Sequence, residues 1–328
     1  MKLLIIQTAF IGDVILATSL VEKLHTFYPD AQIDFLLRKG NEALLEGHPY
    51  IRETIIWDKK NDKLKNLFSL QKKIKQEKYD VVINLQRFAS SGFLTAFSGA
   101  KQKIGFEKNP FSFLFTSKIK HEIGGKLHEI DRNQQLIKAL TDGVSAKPKL
   151  YPSDKNFETV KKYKTQKYIC IAPASVWFTK QFPKEKWIEL IKNYLLEYKV
   201  YLLGADADKE VCEFIKTKSE HKNIENLAGK ISFLESAALM KEATMNYVND
   251  SAPLHIASAM NAPVTAVFCS TVPAFGFGPL SDNSRIIETE KLLDCRPCGL
   301  HGYKACPKKH FKCATEIEVK RLTENLSQ

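Results

Sequence analysis

Short apolar runs recur along the first hundred positions, each bounded by polar residues: Leu3 to Gln7, Ile33 to Leu37, Thr54 to Trp57 and Val81 to Leu85. Runs this brief, apolar on both faces and separated by helical patterns, predict parallel strands covered by helices on each side. The clearest helix lies between the first two, where Leu16, Leu20, Leu24 and Phe27 repeat at helical spacing until Pro29 ends the pattern. Near Asp142 to Pro152 the periodicity gives way to two prolines and a glycine, which predicts a linker. The alternation then restarts with strand Tyr168 to Ala172, a helix from Pro183 carrying Trp187, Leu190, Ile191 and Tyr194, and strand Val200 to Leu203. A further helix, strand Met245 to Val248, a helix from Pro253 and strand Val264 to Phe268 follow. The expected fold class is α/β. Two doubly wound Rossmann-like domains, residues 1–150 and 151–328, would bind ligands in a cleft at the carboxyl ends of their strands.

Composition narrows this picture. With 44% hydrophobic and 26% charged residues the chain reads as folded. Its opening apolar stretch meets Gly12 and Asp13 too soon for a secretory signal or a membrane span, and no other apolar run is long enough to span one. Seven cysteines without an export signal point to a reducing, cytoplasmic compartment. The net charge of +12 implies an anionic partner. Nucleic acid is set aside because no helix-turn-helix, zinc-finger or ribonucleoprotein pattern is present, leaving an anionic membrane face or an acidic, phosphorylated substrate. The densest basic run, Lys59 to Lys78, places Leu64, Leu67, Phe68 and Ile74 roughly on one helical face. It reads either as a core-packed helix with a solvated surface or as a membrane or substrate patch. Neither G-x-G-x-x-G after the first strand nor a P-loop is present, which argues against a dehydrogenase or an ATPase.

Three strand-end loops carry the chemistry. In Gln7-Thr8-Ala9-Phe10-Ile11-Gly12-Asp13, Gly12 permits a tight turn and Asp13 stands at the helix start. Asp13 is there either a cap for orphan amides or a general base. In the loop Ala172 to Pro183, backbone amides, Ser175 and Lys180 make a cradle for a diphosphate, though a lone loop lysine is often merely solvated. In Asn249-Asp250-Ser251-Ala252-Pro253-Leu254-His255, Pro253 opens a helix whose unpaired amides attract phosphate. His255 lies in its first turn, and Asp250 either caps it or accepts from sugar hydroxyls.

Together these segments resemble the lipopolysaccharide heptosyltransferases, glycosyltransferase family nine, of GT-B architecture. The resemblance covers nearly the whole chain. It rests on the first strand leading to Gly12-Asp13, on P-x-S…K-x-F-P at Pro173 to Pro183, on L-A-G-K at Leu227 to Lys230, and on D-S-A-P-L-H-I-A at Asp250 to Ala257. It implies an inverting transfer of heptose from ADP-heptose to the lipid A–Kdo inner core, with Asp13 as catalytic base and no metal or other cofactor required. It further implies donor contacts at Ser175, Val176, Lys180, Asp208, Ile231, Asp250, Ser251, Ala252 and His255. Acceptor contacts are expected at Gln86 and Arg87, which end the strand Val81 to Leu85. The sequence departs from the family at Ala252, where glycine is common, and at Ser19, where proline is frequent. The expected enzyme is cytoplasmic and peripheral to the inner membrane. Other nucleotide sugars, a nucleotide-sugar epimerase of the same architecture and a charge-driven membrane-surface binder are the competing readings.

The spacing Cys295-x2-Cys298-x7-Cys306-x6-Cys313 suggests either a four-thiolate structural metal site or free thiols, since its second half lacks the usual paired spacing.

Overall fold

The structure, a computed structural model, describes residues 1–125, 127–324 and 326. It divides into two compact units, Met1–Tyr151 and Pro152–Gln328.

In the first unit β1 (Lys2–Ile6), α1 (Ile11–Phe27), β2 (Gln32–Arg38) and β3 (Glu53–Trp57) come first. They are followed by α2 (Lys63–Gln76), β4 (Val81–Asn84), α3 (Ala89–Ala96), β5 (Gln102–Phe106), β6 (Ser117–Ile119) and α4 (Glu129–Ile137). The strands form one sheet in the order β3-β2-β1-β4-β5-β6, and every pairing is parallel. Leu3, Leu4, Ile5 and Ile6 are all fully buried, as expected of a strand covered on both faces.

The second unit opens with α5 (Asp154–Lys161), β7 (Tyr168–Ala172), α6 (Lys184–Tyr194), β8 (Lys199–Leu202), α7 (Lys209–Ser219) and β9 (Ile224–Asn226). It continues through α8 (Phe233–Lys241), β10 (Met245–Asn249), α9 (Ala252–Ala259), β11 (Val264–Phe268), β12 (Ser284–Glu288) and α10 (Lys312–Thr315). Its sheet, β12-β11-β10-β7-β8-β9, is again parallel throughout and repeats the strand order of the first. In each unit the order reverses beside the first strand, at β1/β4 and at β7/β10. The loops leaving those strands therefore part to opposite faces and open a crevice.

Two helices depart from the sequence pattern. Helix α1 is buried on all sides from Val14 to Leu24, whereas Phe27 is exposed, so its contacts exceed the single stripe that periodicity marks. On α2 the buried residues are Leu67, Leu70 and Ile74, while Leu64 and Phe68 point outward. Four further strands, β5, β6, β9 and β12, escape the apolar-run criterion. They lie toward the sheet edges and carry polar or glycine residues, such as Gln102-Lys103-Ile104-Gly105 and Ile224-Glu225-Asn226.

Candidate functional site

At the first crevice, Phe10 is the N-cap of α1 and Asp13 is its third residue, with Oδ2 accepting a hydrogen bond from the Phe10 amide at 3.2 Å. Asp13 thus holds the Phe10 amide from the third helical position and is not the N-cap itself, and Gly12 lies inside the first turn rather than ahead of it. From the other side of the crevice Gln86 points inward. It is buried, its amide donates to Gln7 Oε1 on the β1 loop, and its backbone N–H donates to Asn84 Oδ1 at 2.8 Å. Arg87, next in the chain, is exposed. The structure therefore ties the β1 and β4 loops together through Gln86 and leaves Arg87 as the accessible member of the pair.

Sequence reasoning missed several side chains here. Glu129 and Arg132, on the first turn of α4, form a buried ion pair with Arg132 Nε 2.8 Å from Glu129 Oε2. Burial foremost, with Asp13 as a nearby negative charge, raises the Glu129 carboxyl above its ordinary range against the opposing pull of Arg132 and Arg87. Lys59 reaches from the β3 loop to the β1 loop, donating to the Thr8 carbonyl at 3.0 Å and to its hydroxyl at 2.8 Å. Burial, then Arg38 and Lys63, push its amine down to about 8. No sequence signal links Glu129 to Asp13 or Lys59 to Thr8, because it is the tertiary fold that brings each pair together.

His121 belongs to the same neighbourhood: burial first, then Arg87, Arg132 and Lys108, lower its imidazole to about 4. Buried His48 is likewise lowered to about 4, by burial and then by His25. An unfolded histidine takes up its proton near pH 6.5 and these two do not until about 4, so the unfolded state gains stability through that window. Their contribution is intact above pH 6.5 and is lost as the pH falls toward 4, by about 1 kcal/mol each at pH 5.5. Urea midpoints measured at pH 7 and pH 5.5 should show this loss, and the double variant His48→Gln, His121→Gln should flatten it. An unchanged pH slope in the variant would refute the assignment.

At the second crevice Asn249, fully buried at the end of β10, bonds across to the β7 loop. Its side chain accepts from the Phe182 amide at 2.9 Å and donates to the Pro173 carbonyl at 2.8 Å. These bonds bring the Ser175–Lys180 loop against the Asp250 turn. Lys180 Nζ lies 2.7 Å from Asp250 Oδ2, and the Thr271 hydroxyl donates to the same oxygen at 2.6 Å. The N-cap of α9 is Ser251, so Asp250 does not cap the helix and holds Lys180 instead. Ala252 and Pro253 open α9, and His255 is buried in the same helix. Ser175 is half-buried, its carbonyl accepting from Gln181 Nε2 at 2.6 Å, and Val176 is 80% exposed.

Asp208 and Ile231 sit on neighbouring loops. The Gly229 amide donates to the Gly204 carbonyl at 2.9 Å, joining the turn before Ile231 to the turn that carries Asp208. One Asp208 oxygen accepts from the Ala205 amide at 2.8 Å, and Ile231 is half-buried.

Residues 67–301 match the family model described as glycosyltransferase family 9 (heptosyltransferase). The chain belongs to this family. Lipopolysaccharide heptosyltransferase 3 of Escherichia coli K12 is 30% identical to it over 298 residues, covering 83% of each chain. The structure of E. coli ADP-heptose lipopolysaccharide heptosyltransferase II aligns with a TM-score of 0.80 at 24% identity, over 100% of this chain and 98% of that one. E. coli heptosyltransferase WaaC with ADP aligns with a TM-score of 0.73 at 21% identity, over 87% and 92%. The two parallel sheets are thus those of the GT-B fold, and this family 9 protein is a glycosyltransferase.

In the cysteine-rich tail of this glycosyltransferase, Cys295, Cys298 and Cys306 each act on the Cys313 thiol, whose pKa is raised chiefly by burial. Among the described residues no three His, Cys, Asp or Glu side chains are grouped to hold a metal ion. Cys298 donates to the Cys295 carbonyl at 3.4 Å, Cys295 lies 3.7 Å from His310 Nε2, and Cys313 is buried on α10.

The tail binds to the loops of the second crevice. Arg296 donates to the Cys269 and Thr271 carbonyls, each at 2.7 Å, and Cys298 N–H donates to the Ser270 carbonyl at 2.8 Å. The Tyr303 amide donates to Thr179 Oγ1 at 2.8 Å, and the Thr179 amide donates to the Tyr303 carbonyl at 3.1 Å.

Gly302 makes this junction possible. Its φ is +77°, and an added Cβ would lie 2.9 Å from Thr179 Oγ1 and 3.0 Å from Lys180 Cγ. Gly302→Ala should therefore cost about 1–2 kcal/mol from left-handed backbone strain alone, and it should displace Lys180. A melting temperature unchanged to within about 1 °C would show that the junction is not tight.

Proposed function

We propose that this glycosyltransferase transfers heptose from ADP-heptose to the inner core of lipopolysaccharide on a lipid A–Kdo acceptor, with inversion at the anomeric carbon. The observation that carries the reading is the Lys180–Asp250–Thr271 cluster beside the N-terminus of α9. It supplies a cation and free helix amides where a diphosphate leaving group needs both. Asp250 holds Lys180 in place, and the backbone of half-buried Ser251 and Ala252 at the start of α9 approaches the donor. Ser175, Val176 and His255 border the same anion, and Asp208 and Ile231 take the ribose and the base.

Asp13 removes the proton from the acceptor hydroxyl, whose oxygen then attacks the anomeric carbon while ADP departs from the opposite face. Arg87 and the cations around the β1 loop, Lys59 and Arg38, meet the carboxylates and phosphates of the acceptor; Gln86 positions the loop. The scheme routes no step through a metal. The names of the relatives support this reading, among them the ADP-heptose enzyme and the ADP-bound WaaC. No helix of the described residues is long and apolar enough to cross a membrane, and the enzyme would work at the cytoplasmic face as a peripheral protein.

The test is a thermal-shift and turnover screen of ADP-, UDP-, GDP- and CMP-sugars. Stabilisation and transfer with ADP-heptose alone are expected, with the donor left intact when acceptor is omitted. Preference for another base, or conversion of the donor by itself, would reject the reading.

A further inference from the structure

Helix α2 needs one apolar stripe and has two. Leu67, Leu70 and Ile74 fill the core beneath it, yet Leu64 and Phe68 on its outer side are 68% and 57% exposed. Phe68 begins a continuous chain of aromatic rings across α2, α3 and the loop after β5. It meets Phe93 edge-on at 5.7 Å, and Phe93 meets Phe97 at 5.0 Å. Phe93 and Phe97 each meet Phe111 at 6.2 Å, and Phe111 stacks on Phe113 at 6.4 Å. Phe97 and Phe113 are 44% and 72% exposed, and Leu114 beside them 38%. Scattered exposed apolar residues are ordinary, but a contiguous aromatic surface of this kind marks a binding face.

The surroundings of the patch select its occupant. Between Lys59 and Gly125 the chain carries fourteen lysines and arginines against five acidic residues. Exposed Lys65 and Lys72 flank Phe68 on α2, and Lys108 precedes the Phe111–Phe113 loop. None of these three has an acidic partner in salt-bridge range among the described residues. A second copy of the chain docked on this face would set one lysine rim against another, at an electrostatic cost. An anionic bilayer surface offers the complement: negative headgroups for the lysines and an acyl boundary for the rings.

We propose that the face built by Leu64, Phe68, Phe93, Phe97, Phe111 and Phe113 is a membrane-docking surface, seating the rings at the headgroup boundary of an anionic bilayer. This deepens the reading above and rests on it for its purpose, since an acceptor anchored by acyl chains is reached only from the lipid surface. The docking itself follows from the surface alone.

The test is co-sedimentation of the full chain with vesicles of phosphatidylethanolamine containing about one third phosphatidylglycerol, against vesicles of pure phosphatidylcholine. The wild type should bind the anionic vesicles and lose them at high salt. The double variant Phe68→Ser, Phe113→Ser, changed only at exposed positions, should bind at least about tenfold more weakly with an unchanged melting temperature. Lys65→Glu with Lys72→Glu should weaken binding to anionic vesicles only. As an independent readout, Phe68→Trp emission should shift to the blue on adding the vesicles.

Absence of wild-type binding, equal binding by the double phenylalanine variant, or a concentration-dependent dimer that this variant abolishes would each overturn the proposal. A water-soluble acceptor lacking acyl chains separates the two readings. Its glycosylation at the wild-type rate by the double phenylalanine variant is expected, whereas failure of the wild type to use it while still binding vesicles would count against the acceptor assignment alone.

Discussion

Asp13→Asn should lower kcat by about 10³-fold, within the usual range for loss of a general base, and leave ADP affinity within about twofold. The isosteric change is informative because it separates the proposed proton acceptor from a structural contact that Asp13 makes. Its carboxylate accepts a hydrogen bond from the Phe10 amide at the start of α1, and an asparagine side-chain oxygen can still accept it. This contact costs well under about 1 kcal/mol in this exchange, whereas the proton acceptor vanishes. Asp13→Ala removes both and should add a small fall in melting temperature to the same loss of turnover. Steady-state kinetics with ADP-heptose, combined with calorimetric titration of ADP, separate the two effects. Turnover within about tenfold of wild type in Asp13→Asn would remove Asp13 from the chemistry.

Lys180→Ala should lower kcat by about 10²-fold and weaken ADP binding, while the affinity for adenosine, which carries no phosphate, stays unchanged. The reason lies in the ion pair. Asp250 is 6% exposed and shares one oxygen between Lys180 and Thr271. Removing Lys180 leaves a buried carboxylate held by a single hydroxyl and facing the phosphates it would otherwise help to bind. The change therefore replaces an attraction with a repulsion, and the second change Asp250→Asn should restore part of the ADP affinity. Lys180→Arg should recover only part of the turnover, since a planar guanidinium does not reproduce the compact ammonium held on Asp250. Equal losses of ADP and adenosine binding in Lys180→Ala would mean a collapsed loop rather than a missing phosphate contact.

Much of the fold was legible in the chain for identifiable reasons. Central strands such as Leu3–Ile6 and Tyr168–Ala172 are buried on both faces, so their uninterrupted apolar runs mark them. In a parallel sheet of this type the loops after such strands line the ligand crevice, which made Asp13, Lys180 and Asp250 candidates, while the roles proposed for them come from the family resemblance. The edge strands were not legible, because a strand with fewer neighbours tolerates Gln102, Lys103 and Glu225. The outward face of α2 was misjudged for a related reason. Helical spacing groups Leu64, Leu67, Phe68 and Ile74 as neighbours, but only the packing of a particular core decides which side of that group turns inward.

The tail shows the limit from the other direction. The C-x2-C pair with two further cysteines left a metal site and free thiols both open, while the residues that tie the tail to the fold are Arg296, Gly302 and Tyr303, which lock onto Thr179 and the end of β11. Hydrogen bonds to backbone carbonyls leave no residue pattern to read.

The sequence by itself determined the α/β class and the central strands and helices, which depend on local periodicity, and through the order of its motifs it carried the family resemblance that implies the chemistry. Only the tertiary structure decided which distant residues meet: Glu129 beside Asp13, Lys59 on Thr8, Tyr303 on Thr179, and a row of phenylalanines left facing solvent. Those meetings are set by strand order and by competition for a finite core, which involve the whole chain at once and leave no trace in any single stretch of it.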